Sequence, residues 1–189
     1  IVDRDVVPSK TPQSGFRFRS LDNKDLFFDQ VQTRMIEMYR TLYVWYTSAL
    51  MEDSTKSGFA KVVLEKMEKN IPKDVITMDY RQKYTIGMFY YKLGDNIKFE
   101  EYTKDAYNEA YEIRLANRSN LQSYYNPYRI LLDILEARGD LKTEMDLLKE
   151  LNPNDPSVKQ KMDMINSKLY NKSDDKNKIG DDVKSDKNP

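Results

Sequence analysis

Histidine and cysteine are both missing from this 189-residue chain. Without histidine there is no imidazole base and no Ser-His relay, and the common zinc sites cannot form. Without cysteine there is no thiol nucleophile, iron–sulfur ligand or disulfide. Catalysis would have to rely on carboxylate, lysine or tyrosine, so the sequence predicts no catalytic residues, no metal and no cofactor. An excess of one charge sign is missing too, since 31 basic residues balance 31 acidic ones. That removes the counterion-release argument for nucleic acid, and the alternating signs along the chain suit ordinary solvated helix faces. No apolar run approaches the ~20 residues that span a bilayer, so no direct membrane insertion of this chain is expected. The first residue is Ile1, and no signal-peptide pattern follows it. We read the chain as a piece of a longer polypeptide.

What is present is aromatic and flexible: fourteen tyrosines, nine methionines and a single tryptophan. Such side chains fill wide gaps between helices, and Trp45, amid apolar neighbours, reads as core. The length suits one domain. Residues 1–28, with Pro8, Pro12 and Gly15, form an extended lead-in whose Phe16, Phe18, Leu21, Phe27 and Phe28 strap it onto the first helices. From 171 to 189 the chain is almost entirely Asp, Lys, Asn, Ser and Gly. That composition predicts a disordered polar tail.

Between these ends, residues 29–170 read as about seven helices and no strand, an all-α domain. On the first helix Val31, Met35, Tyr39, Leu42, Tyr46 and Ala49 recur at three- and four-residue spacing, the pattern of a core-facing stripe. A second helix runs from near Gly58 to Asn70, with Phe59, Val63 and Met67 inward and Pro72 closing it. The third begins near Thr77, carries Tyr80, Tyr84, Gly87 and Tyr91, and ends at Gly94. A fourth buries Ala106, Ala110 and Ile113. Asn126 followed by Pro127 is a helix start, a capping side chain before a proline at the first helical position, and this fifth helix ends at Gly139. The sixth buries Leu141, Met145, Leu148 and Leu151. The seventh opens at Asp155-Pro156 and buries Val158, Met162, Ile165 and Leu169.

Two stretches, Ile86 to Asp95 and Leu131 to Asp140, end alike in Gly-Asp. In the first, Gly87, Tyr90, Gly94 and Asp95 resemble the first helix and turn of tetratricopeptide repeats, and Ala106 falls at the small position of the second helix. In the later stretch Tyr128, Leu131, Leu135, Gly139, Asp140, Leu148 and Pro156 fit. An earlier repeat keeps Ala60, Leu64 and Pro72. Phe99 and Glu144 stand where a small alanine is usual, and the two Gly-Asp turns lie 45 residues apart, against about 34 in the regular repeat. The resemblance therefore implies antiparallel helix pairs stacked as an irregular right-handed superhelix.

A second resemblance is narrower. The segment from Gly15 to Asp29, running into Met38-Tyr39-Arg40, together with Val63 to Pro72, resembles the C-terminal soluble region of a bacterial family of multi-pass membrane proteins of unknown function. That family is similar to protein O-mannosyltransferases. It implies a bacterial domain tethered to the inner membrane, with the extracytoplasmic side favoured. The family's functional residues would lie upstream of this chain.

Repeats of this type imply a scaffold that binds a protein or peptide, or its own membrane domain, on the concave face. The repeat alignment puts Arg81, Tyr84, Met88, Tyr91 and Lys92 there from the middle pair, and Asn126, Arg129, Asp133 and Glu136 from the later one. Alternatively, Tyr84 and Tyr91 pack on the lead-in, which then fills the groove. The competing class is a non-catalytic substrate-positioning domain of a membrane glycosyltransferase, with Arg81 and Tyr84 contacting the acceptor. Adjacent acids such as Glu100-Glu101 point to different helix faces and read as solvated surface. A faint calcium-loop echo starting at Asp175 fails, because Ile179 stands where an oxygen ligand is needed.

Overall fold

A computed structural model describes residues 21, 23–117 and 123–182 of the chain. Among these every regular element is helical. Seven α-helices follow one another: α1 (Gln30–Met51), α2 (Ser57–Asn70), α3 (Tyr80–Lys92), α4 (Asn96–Ile113), α5 (Pro127–Arg138), α6 (Leu141–Lys149) and α7 (Pro156–Asp182). Short 3-10 turns lie at Ser54–Lys56 and Arg114–Asn117. No helix among the described residues is long and apolar enough to cross a membrane.

The helices begin and end where the sequence places capping chemistry. The Asp29 carboxylate accepts from the Gln32 N–H at 2.8 Å, while the Gln32 side chain accepts from the Asp29 N–H at 3.0 Å. This reciprocal box satisfies two of the donors a helix start leaves open. Asp79 caps α3 through Gln82 at 2.9 Å, and Asn126 caps α5 ahead of Pro127. Gly-Asp is used twice in the same way. Gly94 (φ 76°) and Gly139 (φ 69°) take the left-handed conformation, which costs glycine nothing. Paired bonds close each turn, from Asp95 N–H to Tyr90 O and Gly94 N–H to Tyr91 O, and from Asp140 N–H to Leu135 O and Gly139 N–H to Glu136 O, at 2.9–3.0 Å. The aspartate of each pair then caps the next helix, Asp95 through the Lys98 N–H and Asp140 through the Thr143 N–H, both at 3.1 Å.

The chain divides into two compact units, the first ending at Tyr102 and the second starting at Thr103. In the first, α1 packs along α2 and touches α3. Its core holds Ile36, Tyr43 and Leu50 from α1, Ala60, Leu64 and Met67 from α2, Tyr84, Ile86 and Tyr90 from α3, and Phe99 and Tyr102 from α4. The inner face of α1 is not the predicted one. Val31, Met35, Tyr46 and Ala49 are exposed, Tyr39 and Leu42 half-buried, and Trp45 is 67% exposed rather than core. The buried face instead includes Arg40 and Thr47, whose polarity hides it from a hydropathy pattern. On α2 the same correction applies. Phe59 is exposed and Val63 half-buried, and the core takes the Ala60–Leu64 stripe that the repeat alignment names.

Of the lead-in, Phe16 and Phe18 lie outside the described residues. Phe27 is exposed, Leu21 and Phe28 are half-buried, and Lys24 reaches Asp74 at 3.5 Å.

In the second unit α6 packs against both α5 and α7. Ala106 and Ala110 of α4 are fully buried, as are Tyr128, Ile130, Leu131 and Ile134 of α5. Leu141, Met145, Leu148 and Leu151 are buried as predicted, with Val158 and Ile165 of α7. Ile113 and Leu169, expected inward, are exposed and Met162 is half-buried; Ile113 is the last residue of α4, where fewer neighbours cover it. Arg114 grips Glu150 with two bonds of 2.9 and 3.0 Å, and the Tyr128 hydroxyl donates to the same carboxylate at 3.0 Å. The α7 backbone continues to Asp182, past the start of the predicted polar tail, and residues 183–189 lie outside the described residues.

Candidate partner-binding sites

The five predicted groove residues of α3 share one helix face by spacing, yet their surroundings separate them. Tyr84 is buried, so its ring belongs to the core and offers nothing to a partner. Arg81 is exposed and lies across its neighbour, its Nε donating to the Tyr80 hydroxyl at 3.2 Å with the guanidinium 5.4 Å from the ring centre. Met88 is half-buried, Lys92 is exposed, and Tyr91 is 40% exposed with its ring 5.2 Å from that of Phe99.

Nearby, in the same unit, lies a cluster that spacing does not reveal. The Tyr90 hydroxyl donates to Glu68 at 2.9 Å, and the Tyr90 and Tyr102 rings stack at 5.8 Å. Lys98 bridges Glu68 at 2.9 Å and Glu101 at 3.1 Å, and Lys73 reaches Glu101 at 2.7 Å. Burial first, and the Glu68 carboxylate second, push both phenols far above their ordinary range, so they stay protonated donors. Burial alone would lower Lys98, but its bonds to Glu68 and Glu101 outweigh that and raise it. A cleft of about 130 Å³ opens beside these groups. Its cations and carboxylates are matched to one another at short range. The cluster is an ion-pair lock between α2, the loop after it and α4.

In the second unit the four predicted residues of α5 also part company. Asn126 is buried because it is the helix cap, its Oδ1 accepting from the Tyr128 N–H at 2.9 Å. Arg129 and Asp133, 3.9 Å apart, stand on the rim of a cleft of about 220 Å³. Its floor is aliphatic, made by Leu132 of α5, Leu148 of α6, Leu151 of the α6–α7 connection and Val158 of α7. Ser157 and Lys161 complete the rim. Tyr124 and Tyr125, exposed and packed edge to face at 4.8 Å, precede α5, and the Arg129 guanidinium lies 5.5 Å from the Tyr124 ring centre. Glu136 turns toward the lysines of α7, 3.4 Å from Lys161 and 3.8 Å from Lys168.

Lys161 also lies 3.3 Å from Oε1 of the buried Glu144, an ion pair without hydrogen-bond geometry. Burial pushes the Glu144 carboxyl up, and Lys161 only partly offsets it. The cleft floor was invisible in the sequence, where Leu148 and Leu151 read as core of the sixth helix, Val158 as core of the seventh, and Leu132 is not singled out. Among the described residues no group of three His, Cys, Asp or Glu side chains could hold a metal ion.

No family model, curated protein or solved structure matches the chain. The two resemblances therefore rest on the residues quoted for them.

Proposed function

We propose that this chain is a helical scaffold that binds a protein or peptide partner. The partner seats one bulky apolar side chain in the cleft between α5, α6 and α7. The observation that supports this reading is the cleft itself, a leucine and valine floor ringed by Arg129, Asp133, Ser157 and Lys161. Its size decides the ligand class. Drug-sized ligands and cofactors occupy about 300–1,000 Å³, more than the roughly 220 Å³ available. A dry cavity of about 150 Å³ already holds benzene, so one phenylalanine, leucine or methionine side chain fits. Burying such a group contributes about 1.5–3 kcal/mol, so the anchor changes affinity by roughly ten- to a hundredfold. The mixed rim charges would pair with polar residues on either side of the anchor. Of the predicted groove, Arg129 and Asp133 remain in the proposed site, while Tyr84 and Asn126 are withdrawn on burial.

Selection from a displayed library of random peptides on the immobilised chain tests the proposal. Enriched sequences should share one large apolar residue, and Ser157→Trp, which plugs the mouth from an exposed position, should weaken them at least tenfold. No enrichment over scrambled controls, or binding indifferent to Ser157→Trp, would overturn it.

A further inference from the structure

The face of α1 turned away from its own core carries Val31, Met35, Met38, Leu42, Trp45 and Ala49, at alternating spacings of four and three. Val31, Met35, Met38 and Trp45 are between 52% and 67% exposed. Alternating fours and threes average 3.5 residues, the period of a seam on which another helix lies. The core of the unit uses a different face of α1, that of Ile36, Arg40, Tyr43, Thr47 and Leu50. This helix is therefore amphipathic in two directions. Singly exposed apolar residues need no explanation, but six in register along about 27 Å of helix do.

We propose that this face is the interface of a homodimer, with α1 of one copy lying antiparallel on α1 of a second. This assignment is independent of the cleft in the other unit. The period is the first argument, because a seam of this repeat is complemented by a helix with the same repeat, and α1 is one. Antiparallel pairing about a twofold axis sets Val31 opposite Ala49, Met35 opposite Trp45 and Met38 opposite Leu42. Small then meets small, and a thioether meets the indole, a favourable contact.

Charge is the second. Between Gln30 and Met51 the charged residues are Arg34, Glu37 and the buried Arg40, so the outward face is neutral and does not repel its copy. Area is the third. At roughly 150–250 Å² per aromatic side chain, Trp45, 67% exposed, leaves on the order of 100–170 Å² open. With the two methionines and Val31 the face reaches the ~300–600 Å² of the largest patch on a typical monomer. Two such faces together bury about 1,000 Å², the threshold of a specific interface.

Sedimentation equilibrium and fluorescence of Trp45, the single tryptophan, test the proposal on the full chain. With rising concentration the mass should climb from 22.4 kDa toward twice that value, and the emission should move to shorter wavelength over the same range. Met38→Glu, at an exposed position, should weaken association at least tenfold while leaving the circular dichroism of the monomer unchanged. Ser157→Trp should leave association unchanged. A monomer at every concentration, or a dimer indifferent to Met38→Glu, would overturn the assignment. So would short-wavelength emission that does not depend on concentration, since Trp45 would then be covered from within its own chain.

Discussion

Replacing Arg40 with alanine removes the one buried cation among the described residues of the first unit. Arg40 is fully buried, its Nη2 donates to the Ile76 carbonyl at 2.7 Å, and its Nη1 reaches the Thr77 carbonyl at 3.4 Å. Both carbonyls belong to the connection between α2 and α3, which has no helical ladder to satisfy them. Burial pulls the guanidinium below its ordinary pKa, and Tyr102 and Glu37 pull it partly back. The short bond to a charged donor contributes about 1.5–3 kcal/mol, and the long one less. The space left by a large-to-small change adds a cavity cost of about 2–5 kcal/mol, and removal of a desolvated charge returns part of the total.

We expect Arg40→Ala to cost about 3 kcal/mol. Arg40→Met keeps most of the volume and leaves only the carbonyls unmet, so it should cost about 1 kcal/mol. Urea unfolding followed by circular dichroism reads the difference. At slopes of about 1–3 kcal/mol/M, a 3 kcal/mol loss moves the midpoint by about 1–3 M. Amide exchange from Val75 to Met78 should quicken in both variants. If Arg40→Met were as stable as the parent and exchange in that segment did not change, the guanidinium would not be what fixes the connection, and the reasoning would fail.

Three further outcomes follow from the same geometry. Gly139→Ala meets no atom within 4 Å but must hold a φ of 69°, so it should cost about 1 kcal/mol from backbone strain alone, read as a fall of about 2–4 °C in Tm. Lys61, and then the Lys98 N–H, hold the Asp95 carboxyl below its ordinary value. Its contribution is present above the unfolded pKa of about 3.9 and is lost as pH falls through the lower folded value. Asp95→Asn should therefore flatten the decline of Tm between about pH 4 and pH 2, and an unchanged slope in calorimetry would refute the pairing. Burial raises the Glu144 carboxyl despite Lys161, so its ionised form opposes folding at neutral pH. Glu144→Gln should stabilise the second unit by about 1 kcal/mol at pH 7. The gain should vanish as pH falls through the raised titration, which denaturation at pH 7 and pH 4 would show.

The features legible in the sequence are those written in two or three adjacent residues. Gly94-Asp95, Gly139-Asp140, Asn126-Pro127 and Asp155-Pro156 each encode a backbone conformation and a cap, and helices begin or end at each. The α6 stripe Leu141, Met145, Leu148 and Leu151 was legible because α6 carries one apolar face. On α1 two stripes compete, and counting hydrophobic residues favours Val31, Met35 and Tyr46 over a face that contains Arg40. The carbonyls of Ile76 and Thr77, 36 and 37 residues away, make that arginine welcome inside. Tyr84 and Asn126 were misplaced for a related reason. Spacing gives a residue its direction from the helix axis but not what lies in that direction. The cleft of the second unit shows the same limit, since Arg129 and Asp133 are readable on one face of α5 while its floor exists only where three helices meet.

The orientation of α1 is not set by apolar area alone. Turning the Val31–Trp45 face inward would remove on the order of 500 Å² from water, worth on the order of 10 kcal/mol at about 25 cal/mol per Å², but it would also bring the buried Ile36, Tyr43 and Leu50 out into water, which offsets that gain. The helix buries Ile36, Tyr43 and Leu50 together with an arginine and a threonine. Specific contacts therefore select the inner face, from Arg40 to the α2–α3 connection and from the Asn70 amide to the Tyr43 hydroxyl at 3.1 Å. The apolar face left open on the other side is an aggregation liability unless something covers it. The covering has to be apolar, neutral and periodic at 3.5 residues. A second α1 supplies all three properties, which is why the dimer, rather than a polar partner, is the occupant to test on this face.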